Sequence, residues 1–180
     1  MDKNELVFPE FDYKIHVVDS FDIPEHWERY ITTDENYVNP SVAAWFAENP
    51  DTGAIYLYRE IYKTQLTKIE FYRMITDYNH DEKYTYISES SNKNVAAGLF
   101  MLAKRLNREN PTIFFFMDSL VHPVDEHLPR GNDYGIREFF SYSRNADRHT
   151  HYPFIDATRR LCLSLNKIDN FANDFKWIYK

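Results

Sequence analysis

The sequence is poor in the residues that most often reveal a chain's chemistry. Of 180 residues, one is cysteine (Cys162) and four are glycine: Gly53, Gly98, Gly131 and Gly135. A single cysteine permits neither an internal disulfide nor a cysteine-based zinc site, which fits a reducing cytoplasm. Lying within the apolar stretch Ala157 to Leu163, its thiol is expected to be buried and inert. The glycines form no GxxxxGK[ST] phosphate loop, so a P-loop ATPase is excluded, and a dinucleotide-binding GxGxxG is absent too. No apolar run is long enough to span a bilayer, and Met1 to Glu5 lead into mixed polar sequence rather than a secretory signal. A soluble, intracellular protein with no membrane partner is expected.

Positive charge is also scarce. Lys and Arg number 21 against 28 Asp and Glu, a net charge of -7. That balance argues against a protein that simply coats nucleic acid, which would be basic. A nuclease remains open, because its metal ions would offset its own acids. What the chain does have is aromatic residues, 14 Tyr and 14 Phe, enough to fill a sizeable core in a single domain of this length.

Hydrophobic periodicity orders the chain. Residues 1–26 hold short apolar pieces and read as an extended N-terminal arm of a single domain spanning 1–180. Strands are expected at Tyr30 to Asp34, Val42 to Ala47 and Ile55 to Tyr62, the last two joined by the turn Asn49-Pro50-Asp51-Thr52-Gly53. Thr67 and Glu70 form a capping box that starts a helix running to about Asp77. A fourth strand, Tyr84 to Ser88, precedes a helix over Val95 to Leu106, and Thr112 to Met117 has the continuous apolar character of a strand buried on both faces. A short helix near Ile136 to Tyr142 and a last one over Phe154 to Leu165 complete the order. Three antiparallel strands followed by alternating β and α elements predict an α/β fold: a ribonuclease-H-like mixed sheet with flanking helices.

Three acids stand out against this background. Asp34 closes the first strand, Glu89 follows the fourth, and Asp156 opens the last helix. Brought to one sheet edge, such carboxylates repel unless a cation lies between them, so metal-dependent phosphoryl chemistry is expected. Taken singly, each acid is more often a turn former or helix cap than a ligand. It is the set of three, in fold order, that points to a metal site.

Several segments resemble the nuclease domain of large terminase subunits, the DNA-packaging motors of tailed bacteriophages. They are Ile23 to Pro40, Ala54 to Tyr62, Phe114 to His122 and Ile155-Asp156-Ala157-Thr158-Arg159-Arg160. The resemblance covers roughly residues 6–165. It implies an endonuclease of the bacterial host cytoplasm that cuts double-stranded viral DNA during packaging. It also implies two Mg²⁺ or Mn²⁺ ions, with Asp34 bridging them and Glu89 and Asp156 each holding one. Its implied partners are DNA, the terminase ATPase half, the small terminase subunit and the portal. The chain departs from the family pattern in three places. Tyr152 stands where a further Asp is usual, Asn36 where a Gly is usual, and Arg160 where an aromatic follows the helix start. The ATPase half is absent, so the chain is expected to be a nuclease domain without its motor. The alternatives are a catalytically weakened DNA-binding or assembly module, and a cellular ribonuclease-H-like nuclease or resolvase.

Other candidates read as structural. Glu60 is expected as a supporting acid and the substitute should Glu89 point away, and Asp118 as a loop former. His149 and His151, without an HExxH pattern or cysteine partner, are expected to meet phosphate or solvent. The basic groups Lys104/Arg105/Arg108 and Arg144/Arg148/Arg159/Arg160 read as either solvated faces or phosphate grooves.

Overall fold

The computed structural model describes residues 5–79, 82–87, 94–117, 135–145 and 150–165. Its frame is a six-stranded mixed sheet. The strands are β1 (Val17–Val18), β2 (Glu28–Asp34), β3 (Ser41–Glu48), β4 (Ile55–Lys63), β5 (Thr85–Ile87) and β6 (Ile113–Phe116). They lie in the order β1-β6-β4-β3-β2-β5. β2, β3 and β4 form the antiparallel meander, while β5 joins β2, and β6 joins β4, in parallel. The helices are α1 (Tyr13–His16), α2 (Lys68–Tyr78), α3 (Val95–Arg105), α4 (Arg137–Ser141) and α5 (Pro153–Ser164). No described helix is long and apolar enough to cross a membrane.

The pleat of β3 divides the core. Val42, Ala44 and Phe46 face the larger cluster, which takes in Leu102 of α3, Phe139 of α4 and Phe154 and Leu161 of α5. Ala43 and Trp45 face the smaller one, sealed by Phe71 and Ile75 of α2. The expected capping box starts α2: Thr67 accepts from the Glu70 backbone, and Glu70 accepts from the Thr67 N–H at 2.8 Å. Gly98 lets α3 lie tightly on α5, since a Cβ there would stand 3.2 Å from the Arg159 carbonyl oxygen.

The pairing of β4 with β3 slips between Trp45 and Phe46, which oppose Arg59 and Leu57, so Tyr58 is the extra residue of a bulge. The bulge changes which face the rest of β4 presents. Ile55 and Leu57 belong to the larger core, but Ile61 belongs to the smaller one. Glu60 and Tyr62 consequently turn toward α4 and α5, where each meets a partner.

The N-terminal arm is more than an extended lead-in. It holds α1, and β1 pairs in parallel with β6 at the sheet edge. Phe11 stacks on Phe139 with ring centroids 4.6 Å apart. His16 is fully buried against the Leu106 carbonyl. Arg105 and Arg108, read from sequence as a solvated face or a phosphate groove, serve as ties. Arg105 donates to the carbonyls of Gly53 and Thr112, and Arg108 to those of Pro9 and Glu10.

Candidate functional site

Asp34 is the last residue of β2, and its side chain faces α5 from a position only 4% exposed. α5 is anchored there by Thr32, whose hydroxyl donates to the Ala157 carbonyl at 2.9 Å. The helix begins at Pro153, so Asp156 lies inside the first turn rather than at its cap. Tyr152 occupies the cap position and makes no capping side-chain bond. Asp156 is therefore free of capping duty, and its carboxylate turns toward Asp34.

Between the two aspartates stands His151. Its Nε2 lies 3.1 Å from Asp34 Oδ1, and its Nδ1 lies 3.8 Å from Asp156 Oδ2. One ligand atom from each of Asp34, His151 and Asp156 falls within 4.8 Å of the others. The hydrogen bond to Asp34 raises the imidazole's pKa above its ordinary value despite burial, so the cationic form is favoured. His151 was expected to meet phosphate or solvent. Instead it sits inside the carboxylate cluster, 117 residues from Asp34 in the chain.

Two buried arginines complete the charge balance. Arg160 donates from Nη2 to Asp34 Oδ2 at 2.9 Å and from Nη1 to the Thr33 carbonyl at 2.8 Å. Arg159 donates from Nε to Asp156 Oδ1 at 2.6 Å. Neither lies on a solvated face or lines a phosphate groove: they are 5% and 8% exposed, Arg159 and Arg160 respectively, and committed to the two acids.

Behind the cluster lies a second pair of acids. Glu138 of α4 accepts from the Tyr62 hydroxyl at 2.9 Å, from the Phe154 N–H at 3.1 Å and from the Ile155 N–H at 2.9 Å. Glu60 accepts from the Gly135 N–H at 2.9 Å, while its Oε2 is buried without a hydrogen-bond partner among the described residues. Burial pushes both carboxyls up to about 8, and the neighbouring Glu138 adds to the rise at Glu60. Glu60 thus belongs to this inner pair and not to the Asp34 cluster, in line with a supporting role.

Of the three acids singled out from sequence, Asp34 and Asp156 come together; Glu89, like Asp118, His149 and Arg148, lies outside the described residues. β5 runs parallel to β2 with Ile87 opposite Thr32, so it heads toward the sheet end that carries Asp34. His151, Arg160 and Glu138 were not identified as parts of the site. The weak hint was the placing of Arg159 and Arg160 three and four residues after Asp156, one helical turn on, on a helix that is otherwise largely buried.

No protein-family model matches the chain, and no curated protein matches it in sequence. Solved structures do match in fold. The large terminase of a thermophilic bacteriophage superposes with a TM-score of 0.67 at 18% identity, over 88% of this chain and 45% of that one. The P22 large terminase nuclease domain gives 0.63 at 14% identity, over 90% of this chain and 97% of that domain. The chain thus spans less than half the length of the full large terminase it matches. It has the ribonuclease-H-like fold of a terminase nuclease domain.

Proposed function

We propose that the chain is a divalent-metal-dependent endonuclease that cuts double-stranded DNA during viral genome packaging. The observation that carries the reading is the convergence of Asp34, His151 and Asp156 at one end of the sheet. Two carboxylates and one imidazole suit a divalent cation such as Mn²⁺ or Mg²⁺, and the donor atoms already lie close enough to share one. Glu89 is the proposed ligand of a second ion. A bound cation would lower the pKa of an attacking water and stabilise charge on the phosphate.

The protein's own contribution is to hold these donors in place. Arg160 keeps Asp34 Oδ2 occupied and turns Oδ1 toward His151. Arg159 does the same for Asp156, leaving Oδ2 facing the imidazole. The Asp34 hydrogen bond favours the cationic form of His151, which would offset the paired carboxylates; the same imidazole would have to give up its proton to hold a cation. The ATPase half of a terminase, the small subunit and the portal are the proposed partners, in the bacterial host cytoplasm.

The test is nicking of supercoiled plasmid with Mn²⁺ or Mg²⁺. Wild type should nick, and Asp34→Asn and Asp156→Asn should each lose at least about 100-fold in rate, about 2.7 kcal/mol of transition-state stabilisation. A wild type inert with both metals at micromolar protein would reject the enzyme. One observation favours a second reading, a weakened DNA-binding or assembly module: both aspartates are already paired with buried arginines. DNA retention without nicking would support it.

A further inference from the structure

The start of α5 carries both His151 and Asp156, yet nothing on α5 itself holds that start. Tyr152 lends no side-chain cap, and Pro153 at the first helical position has no N–H to give. The next two amides, Phe154 and Ile155, point at the Glu138 carboxylate, one to each oxygen. Those two residues lie between His151 and Asp156 in the chain. Glu138 is 5% exposed, and its remaining bond comes from Tyr62 on β4. Tyr62 faces this way because of the β4 bulge at Tyr58.

From this geometry we infer that Glu138 is a positioning residue: a cap supplied by α4 that sets α5 so that His151 and Asp156 meet Asp34. The inference rests on the metal-centre reading above. The physical case is that the first amides of a helix need acceptors, and Glu138 supplies one carboxyl oxygen to each of two. Most helices take that acceptor from their own N-cap side chain. Here it comes from another helix, so Glu138, beside the Thr32 bond to the Ala157 carbonyl and the Tyr152 bond to the Ser141 carbonyl, ties the α5 start through Tyr62 to the sheet. Asp34 sits on that same sheet, so the cap ties the two halves of the ligand set to one frame. Partners that orient metal ligands in this way typically change metal affinity or activity by about tenfold to a hundredfold when altered.

The experiment compares wild type, Glu138→Gln, Glu60→Gln and Tyr62→Phe in the full chain, with Mn²⁺ as the probe. Mn²⁺ affinity is read by calorimetry, kcat and KM by plasmid nicking, and the Phe154 and Ile155 amides by hydrogen exchange. The carboxamide of Glu138→Gln presents an NH₂ to one of the two amides and cannot accept from both. Its Mn²⁺ affinity and kcat should fall at least about tenfold with the DNA KM unchanged. Exchange at Phe154 and Ile155 should quicken without metal. Glu60→Gln, which touches neither amide, should bind Mn²⁺ within about twofold of wild type, and Tyr62→Phe should show a smaller loss than Glu138→Gln. If Glu138→Gln does not fold, the inference stands on a measurable loss in Tyr62→Phe and falls if there is none. Faster amide exchange in Glu138→Gln with unchanged Mn²⁺ affinity would overturn the inference and leave the metal centre intact. A wild type that binds no Mn²⁺ would overturn both.

Discussion

Arg160 grips Asp34 from behind, bonding one carboxylate oxygen and the carbonyl of the preceding residue, Thr33, with the two arms of a single guanidinium. Each is the other's buried counter-charge, and removing one partner of such a pair costs more than removing both. Asp34→Asn alone should therefore destabilise the metal-free protein by about 3 kcal/mol, by leaving the guanidinium unpaired. Adding Arg160→Met should restore part of that loss. Urea denaturation of the two single variants and the double variant checks this; strictly additive costs would contradict the coupling.

Of the three residues proposed to hold the cation, His151 alone would offer nitrogen. His151→Ala should weaken Mn²⁺ binding by about tenfold and lower the preference for Mn²⁺ over Mg²⁺, because the remaining donors are all oxygen. Competition between the two ions, read by the Mn²⁺ resonance signal, measures both effects.

The inner acid pair ties stability to pH. Glu60 and Glu138 titrate near 8 in the folded chain, above the ordinary carboxyl value of 4.5, so folding takes up protons in that interval. Their contribution is complete below about 4.5 and is lost as pH rises through about 8. His151, also raised, acts in the same direction. Unfolding free energy should decline from pH 5 to pH 8 by up to about 1.4 kcal/mol per pH unit for each proton held. Glu60→Gln should flatten that slope, and a slope equal to wild type would mean that Glu60 is ionised throughout.

Gly135 sits where the inner pair, β4 and α5 meet. A Cβ at this position would collide with the Phe154 ring and with Glu60 Oε1. Gly135→Ala should cost about 2 kcal/mol as overpacking, while Gly53→Ala, with open space around it but a positive φ, should cost about 1. Thermal denaturation separates the two.

Much of the fold was legible in the sequence because its signals are local. The β2–β3–β4 meander, the Thr67 capping box and the Val95 helix are set by patterns a few residues long. Asp34 and Asp156 were legible for the same reason, each marking an element end. The β4 bulge was not. Alternation through Ile55, Leu57 and Ile61 places all three on one face, and the extra residue at Tyr58 separates Ile61 from the others and re-aims Glu60. Glu138 drew no reading from the sequence, and Arg160 read as part of a solvated face or a phosphate groove. Their burial depends on partners 76 and 126 residues away, a separation that no local pattern reports.

That separation also orders events in time. The meander closes through short turns, so its loop-closure cost is small and its pairing can form early. The contacts from His151 and Arg160 to Asp34 span 117 and 126 residues and complete the centre only when α5 docks. An opening confined to α5 would part His151, Asp156 and Arg160 from Asp34 while the meander stayed paired, making this cluster the last thing gained on folding and the first lost to a local fluctuation.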